Sequence, residues 1–208
     1  MTTPYTLYSR QTSGNCYKAR LLMHELDTGF RIVEMESGSG KTAAPEFLQM
    51  NPNGQVPLLI LPDGKTLAES NAMLLHLAEG SALIPADSYE RALCYQWLFF
   101  EQYSHEPVIA VARRWLFLTP GGRTTMAHRI AEWQAKGNKV LAVMELRLAE
   151  SDFLAGQDFS VADIALYAYT HVAGDADFDL STYPAIKAWL ARVAARPRHV
   201  PLEWQPGA

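Results

Sequence analysis

Near the start of the chain, four polar side chains of different chemistry stand within five positions: Thr12, Ser13, Asn15 and Cys16. They follow a short apolar run at residues 5–9 and lead into helical periodicity at residues 15–27, which begins with Asn15 and Cys16. They therefore occupy a predicted strand–loop–helix connection. A hydroxyl, an amide or a thiol at a helix N-terminus can stabilise an anion, and a thiolate there can attack an electrophile. The residue types leave open which of the four does chemistry, and on what.

The segment NPNGQVPLL, residues 51–59, carries the sharpest local signal. A proline inside a strand removes a donor from the ladder, so Val56-Pro57 at a strand start predicts a fixed bend with a cis peptide. Such a bend would leave the backbone N–H and C=O of Val56 free to pair with an extended, peptide-like ligand. The alternative is an edge-strand proline with no ligand, and the residues alone do not decide between the two.

Glu69 and Ser70 begin a second predicted helix, in the segment AESNAML. A serine there is expected to cap the helix, whose N-terminus favours an anion, while the neighbouring carboxylate can hold an ammonium. The pair would suit the zwitterionic end of an amino acid. A serine that only caps the helix is the alternative.

Ser160 and Asp163 show the spacing of a capping box at the start of another predicted helix. Phe159 is placed to pack on Ile164 as a hydrophobic staple. Asp163 is therefore predicted to hold a helix end and to take no part in catalysis.

The elements that position these residues fall into two regions. The first eighty residues follow the order β-α-β-α-β-β-α, in which Pro62-Asp63-Gly64 forms the turn of a hairpin. After a linker near residues 80–86 the pattern is that of long helices only, at residues 87–118, 123–150, 160–174 and 183–196. We therefore expect an α/β domain at residues 1–80 and an all-helical domain at residues 87–208.

The charge, hydrophobicity and cysteine content of the sequence exclude several classes of protein. The net charge of −4 gives no basic surface for nucleic acid or an anionic membrane, and no apolar run is long enough to span a bilayer. Two cysteines are too few for a disulfide framework and fit a reducing compartment. With no signal-peptide pattern and no Cys/His spacing typical of a metal site, we expect a cytoplasmic protein without a metal.

Three motifs, NPNGQVPLL, ESNAML and FSVADIAL, in this order and spacing, together resemble the glutathione transferase family. The resemblance covers nearly the whole chain and looks nearest to bacterial theta-, zeta- and nu-like branches, which use a hydroxyl residue. It implies a thioredoxin-like N-terminal domain, an all-α C-terminal domain, and glutathione as co-substrate with no other cofactor. With the aromatic face of residues 91–103, it also implies a homodimer.

The resemblance implies a role for several residues of the first domain. Val56, before the expected cis-Pro57, would pair through its backbone with the cysteinyl unit of glutathione. Glu69 and Ser70 would hold the γ-glutamyl end. Gln55 would lie beside the tripeptide, and Lys41 would lie near its glycine carboxylate.

Catalysis in this family means stabilising the glutathione thiolate, which is the nucleophilic form. The resemblance places Ser13 where theta-like members keep a catalytic serine, and Asn15 where zeta- and beta-like members carry a reactive cysteine. Nu-like members have Thr and Asn at these places, so Ser13 and Asn15 are the expected donor pair. Tyr8, near the tyrosine position of the alpha, mu and pi branches, ranks second. Cys16 is turned by about 100° from Asn15 on a helix and is expected to be a wall or core thiol.

The expected second substrate is a small hydrophobic electrophile, held between the first helix and the helical domain. Five residues are expected to line this pocket: Tyr8, His105, Val108, Arg113 and Trp115. The sequence does not select among conjugation, peroxide reduction and dehalogenation. Two other hypotheses are a non-catalytic binding or regulatory module and a glutathione-dependent thiol–disulfide enzyme using Cys16, although the chain has no C-x-x-C.

Overall fold

The structure, a computed structural model, describes residues 4–206, so the outermost ends of both expected domains lie outside the described residues. The chain forms two compact units. One contains the chain up to Ser81 and again from Pro197, and the other runs from Ala82 to Arg196.

The first unit is a four-stranded sheet with helices on both faces, the thioredoxin-like arrangement predicted from the sequence. Its elements are β1 (Tyr5–Ser9), α1 (Gly14–Glu25), β2 (Phe30–Glu34), a 3-10 turn (Lys41–Ala43), α2 (Pro45–Met50), β3 (Leu58–Ile60), β4 (Thr66–Ala68) and α3 (Ser70–Leu77). The strand order is β2-β1-β3-β4, with β1 parallel to β2 and antiparallel to β3.

Alternation along the strands divides the core of this unit into two clusters. Leu7 of β1 lies opposite Leu59 of β3, and both pack with Met23 of α1 and Met73 of α3. Leu58, the next residue in β3, belongs to a separate cluster that contains residues of α2. Because successive strand residues point to opposite faces, α1 and α3 cover one face of the sheet and α2 covers the other.

The second unit consists of helices only, as predicted. Its elements are α4 (Ser88–Phe100), α5 (Glu106–Arg113), α6 (Gly122–Thr125), α7 (Ala127–Leu148), α8 (Val161–Thr170), two 3-10 turns (Ala173–Ala176 and Leu180–Thr182) and α9 (Pro184–Ala194). None of the described helices combines the length and hydrophobicity that a bilayer crossing needs.

The helix predicted over residues 87–118 is interrupted by wider turns. A π-helical turn at Glu101–His105 joins α4 to α5, and a second follows at Arg114–Leu118. Pro107 stands in the first turn of α5 and has no N–H to donate to the preceding turn. The backbone therefore widens just before the proline without ending the helical path.

The C-terminal segment differs from the prediction, which placed it in the helical domain. From Pro197 onward the chain belongs to the first unit. Val200 and Leu202 are buried there, and the Tyr17 hydroxyl of α1 donates to the Val200 carbonyl oxygen at 2.6 Å. The segment has no periodicity of its own, so its position depends on contacts that a local pattern does not contain.

Candidate active site

Ser13 is the N-cap of α1. Its Oγ accepts a hydrogen bond from the backbone N–H of Cys16 at 3.3 Å. This cap uses a lone pair of the oxygen and does not consume the hydroxyl hydrogen. The half-buried Ser13 therefore combines a donor hydroxyl with the positive end of the helix dipole, which suits an anionic acceptor.

Asn15 lies in the first turn of α1 and contacts the start of α3. Ser70 Oγ donates to Asn15 Oδ1 at 3.4 Å, so the structure brings these two predicted site residues together. Lys18, which is fully buried, donates from Nζ to Ser70 Oγ at 3.3 Å and to Asn71 Oδ1 at 3.2 Å. Sequence reasoning missed Lys18, although its place three residues after Asn15 puts both on one side of the helix.

The expectation that Ser70 caps α3 is wrong. The N-cap residue is Glu69, which makes no side-chain capping bond, and Ser70 is the first helical residue. Its hydroxyl instead bonds across to α1, as just described. The alternative of a serine that only caps a helix therefore also fails.

Glu69 has a backbone conformation that non-glycine residues rarely adopt, with φ 67° and ψ 113°. Such conformations are costly and cluster at ligand sites, where the surrounding structure enforces them. The side chain of Glu69 is exposed beside the buried Ser70. A carboxylate is thus held in solvent next to a helix N-terminus.

The Val56-Pro57 peptide bond is cis, as the sequence predicted. Within the described part of the chain, neither the N–H nor the C=O of Val56 takes a backbone hydrogen bond. The loop before it is fixed, because Asn51 Nδ2 donates to the Gln55 carbonyl oxygen at 2.8 Å. The side chains of Gln55 and of Lys41, which begins the 3-10 turn, are exposed.

Cys16 is fully buried in the core of the first unit. Burial raises the pKa of its thiol, although the backbone N–H of Arg10, the Ser13 hydroxyl and the charge of Arg20 oppose this rise. The Arg10 N–H donates to the sulfur at 3.2 Å. A buried thiol that stays protonated is a poor nucleophile, so this geometry argues against Cys16 as the attacking group.

Tyr8, the second-ranked catalytic candidate, packs in the cluster on the α2 face of the sheet. Its ring meets that of Phe47 edge to face, with centroids 5.7 Å apart. This contact gives the Tyr8 ring a packing role on that face.

The four expected electrophile residues of the helical unit have separate environments. His105 is fully buried, with Nε2 2.9 Å from Thr170 Oγ1, and Arg113 donates from Nε to Asp175 Oδ2 at 2.8 Å. Trp115 lies half-buried in the second π-helical turn. Of the four, only Val108 lines the groove of about 520 Å³ on this unit, with aromatic residues at Phe100, Tyr103 and Trp133.

Asp163 confirms the structural role predicted for it. Its carboxylate accepts from the N–H and Oγ of Ser160, from the Leu154 N–H and from Trp189 Nε1, at 2.9 to 3.0 Å. The bond from the Ser160 N–H completes the capping box of α8. No cluster of three or more metal-binding side chains occurs among residues 4–206.

Comparisons with known proteins agree with this architecture. Residues 3–79 match the N-terminal domain of glutathione S-transferase, and residues 110–197 match its C-terminal domain. The chain is 31% identical over 190 residues to the disulfide-bond oxidoreductase YfcG of Escherichia coli, covering 88% of the chain and 87% of that protein.

Two solved structures are also similar. A possible glutathione S-transferase from Rhodopseudomonas palustris has a TM-score of 0.95 at 48% identity, covering 99% of this chain and 93% of that one. The theta class glutathione S-transferase from Xanthomonas axonopodis pv. citri, solved with glutathione bound, has a TM-score of 0.85 at 28% identity, covering 94% and 95%. Both domain models, matched in order over most of the sequence, show that the chain belongs to the glutathione S-transferase family.

Proposed function

We propose that this glutathione transferase binds glutathione in its first unit and stabilises the thiolate with Ser13, assisted by Asn15. The observation that carries the proposal is the hydrogen bond from Ser70 to Asn15. It places a residue expected at the glutamyl end of the tripeptide beside one expected at its sulfur. Two helix N-termini, which both favour anions, meet at this contact.

Each part of glutathione has a matching group in this unit. The ammonium pairs with the exposed carboxylate of Glu69, and the glutamyl carboxylate takes the hydroxyl of Ser70. The cysteinyl unit pairs with the backbone of Val56, whose N–H and C=O face no other strand of the described sheet. The sulfur then lies at the start of α1, near the hydroxyl of Ser13.

Stabilising the thiolate is the step that makes glutathione reactive. A free thiol has a pKa of about 8.5 and is mostly protonated at neutral pH. A hydroxyl donor and a helix N-terminus aimed at the sulfur both favour the charged form. The thiolate then attacks a hydrophobic electrophile or a hydroperoxide, with Ser13 donating to the sulfur until the new bond forms.

A second candidate reaction is the reduction of a disulfide by glutathione. It is favoured by the similarity to a disulfide-bond oxidoreductase together with the burial of Cys16. The glutathione thiolate attacks one sulfur of the substrate, forms a mixed disulfide and releases a thiolate. A second glutathione thiolate then attacks the mixed disulfide, which releases the other substrate thiolate and oxidised glutathione. The complete reaction therefore requires no cysteine of the protein.

The active form is a homodimer in this proposal. Three large side chains of the helical unit are strongly exposed: Phe99, Tyr103 and Leu146. Tyr103 also lines the groove between the helical path of residues 88–118 and α7. Large apolar side chains exposed to this degree are typical of interaction surfaces, and a second copy of the chain would cover them.

The deciding experiment is calorimetric titration with glutathione, followed by turnover with three probes. The probes are 1-chloro-2,4-dinitrobenzene, cumene hydroperoxide and 2-hydroxyethyl disulfide. We expect binding and turnover with at least one probe, and loss of most turnover in Ser13→Ala. Thr66→Val serves as a matched control, because Thr66 carries an exposed hydroxyl on β4 of the same unit. Absence of glutathione binding in the folded wild-type protein would instead support the non-catalytic module.

A further inference from the structure

Arg20 is a fully buried arginine of α1 whose guanidinium faces the loop before that helix. Nη1 donates to Ser9 Oγ at 2.8 Å and to the Arg10 carbonyl oxygen at 3.3 Å. Nη2 donates to the carbonyl oxygens of Gln11 at 3.0 Å and Leu202 at 2.8 Å. Arginine has a rigid fork of donors, so these four acceptors are held in one fixed arrangement.

The Arg10 carbonyl connects this arrangement to Ser13. Its oxygen accepts from the backbone N–H of Ser13 at 3.1 Å as well as from Arg20. A displacement of this carbonyl therefore displaces the N-cap of α1. The loop is fixed from another side by Glu34, whose Oε1 accepts from the Gln11 N–H at 3.0 Å.

The C-terminal segment supplies the fourth acceptor. The Leu202 carbonyl oxygen accepts from Arg20 and also from Gln11 Nε2 at 3.0 Å. Gln205 Nε2 donates back to Gln11 Oε1 at 2.8 Å. The loop before Ser13 is therefore bound between the guanidinium of Arg20 and the segment from Val200 to Gln205.

We propose that Arg20 is a positioning residue of the thiolate site. It fixes the Ser13 hydroxyl through the Arg10 carbonyl, and the C-terminal segment holds the same loop from its other side. The proposal rests on the proposed role of Ser13. Arg20 is fully buried, and the four acceptors described here occupy its terminal nitrogens. It acts on the substrate sulfur only through the loop.

The test compares Arg20→Lys with Arg31→Met. The first keeps the charge but loses the fork of donors. The second removes an arginine of the same unit that bonds to Thr6 Oγ1, away from the loop. In Arg20→Lys we expect the pKa of bound glutathione thiolate to rise by about one unit and kcat to fall about tenfold at pH 6.5, with KM for glutathione changed less than about threefold. Arg31→Met is expected to leave all three quantities near wild type.

A double variant separates positioning from general loosening of the structure. If Arg20 acts through Ser13, then Arg20→Lys in a Ser13→Ala background raises the thiolate pKa little further, because the two changes remove one interaction. Additive shifts, or an unchanged pKa in folded Arg20→Lys, would overturn the proposal. Gln11→Ala keeps Arg20 and removes only the side-chain bonds to the C-terminal segment, so it is expected to shift the pKa in the same direction by less.

Hydrogen exchange gives a readout that does not depend on glutathione. We expect amides of residues 10–16 and 200–205 to exchange at least about tenfold faster in Arg20→Lys, with β3 and β4 unaffected. Unchanged exchange in these two segments would contradict the role of Arg20 even if the enzyme is active. If the wild-type protein formed no thiolate, the role of Ser13 would fail, and exchange alone would decide whether Arg20 orders the loop.

Discussion

Ser70 Oγ donates to Asn15 Oδ1 at 3.4 Å, and this contact joins the first turns of α3 and α1. A hydroxyl has one hydrogen, so Ser70 can donate to Asn15 or to a bound carboxylate, but not to both. Binding of a glutamyl carboxylate at Ser70 would therefore break the bond from Ser70 to Asn15. In the proposed binding mode, the groups expected at the two ends of glutathione are therefore coupled through this one hydrogen bond.

The first prediction concerns Glu69 at the glutamyl end. Glu69→Ala should weaken glutathione binding by about 1–3 kcal/mol, the scale of a lost hydrogen bond to a charged group. Calorimetry measures the change, and Glu79→Ala, which removes an exposed carboxylate beyond the end of α3, is the matched control. Equal affinities in the two folded variants would rule out the role of Glu69.

The second prediction concerns Asp163, which accepts four hydrogen bonds in the helical unit. Asp163→Ala leaves these buried donors without an acceptor, so we expect a loss of about 2–4 kcal/mol in the free energy of unfolding. Urea denaturation measures this loss. Glutathione affinity of the folded variant should remain near wild type, and a large drop in affinity without loss of stability would contradict the structural role.

The third prediction concerns the exposed aromatic face. Tyr103→Glu together with Phe99→Glu should convert a dimer into a monomer, because two charges would be buried in the apolar contact. Analytical ultracentrifugation measures the mass. Leu118→Glu, a charge at another exposed apolar position of the same unit, should leave the dimer intact. A wild-type protein that sediments as a monomer would rule out the homodimer.

The order of elements could be predicted because each has a local signal. The alternation of β1 and β2, the glycine turns and the capping box of α8 all depend on residues close in sequence. The cis peptide at Val56-Pro57 also followed from local reasons, since a proline at a strand start constrains the chain by itself.

Features that depend on distant contacts could not be predicted. The hydroxyl of Ser70 bonds to Asn15, 55 positions earlier, whereas the local pattern gives it only the role of a cap or of a ligand contact. Arg20 falls in a segment with ordinary helical periodicity. Its four acceptors come from the end of β1, the loop that follows it and the C-terminal segment. The burial of a charged side chain can be predicted only when the groups that surround it are known.

The fourth prediction concerns His199 in the C-terminal segment. Its ring nitrogen Nε2 lies 3.3 Å from the Tyr17 hydroxyl, and burial lowers its pKa below the usual 6.5, although the charge of Glu25 opposes this. The unfolded chain therefore binds a proton more readily than the folded one. The contribution of neutral His199 to the free energy of unfolding is fully present above pH 6.5. It is lost as the pH falls through 6.5 toward the lower pKa of the folded state.

Thermal unfolding between pH 7.5 and pH 5 measures this effect. We expect the melting temperature of wild type to fall more over this range than that of His199→Asn, which cannot take up the proton. His128→Asn changes an exposed histidine of the helical unit and should follow the wild-type curve. If His199→Asn also followed the wild-type curve, the pH dependence would have another source.

The last prediction concerns Ser13, because its hydroxyl stands at the start of α1 and its cap leaves the hydroxyl hydrogen for a ligand. Loss of one donor to an anion costs about 2–4 kcal/mol in a dry site and less where water replaces it. Titration of the absorbance of bound glutathione thiolate against pH measures the effect in four variants: Ser13→Ala, Asn15→Ala, Cys16→Ala and Tyr8→Phe. We expect the thiolate pKa to rise most in Ser13→Ala and by a smaller amount in Asn15→Ala. It should stay unchanged in Cys16→Ala, because the Cys16 thiol is buried and burial raises its own pKa. A largest rise in Tyr8→Phe would move the donor role to the tyrosine, and loss of turnover in Cys16→Ala with thiolate formation intact would make Cys16 the reactive group.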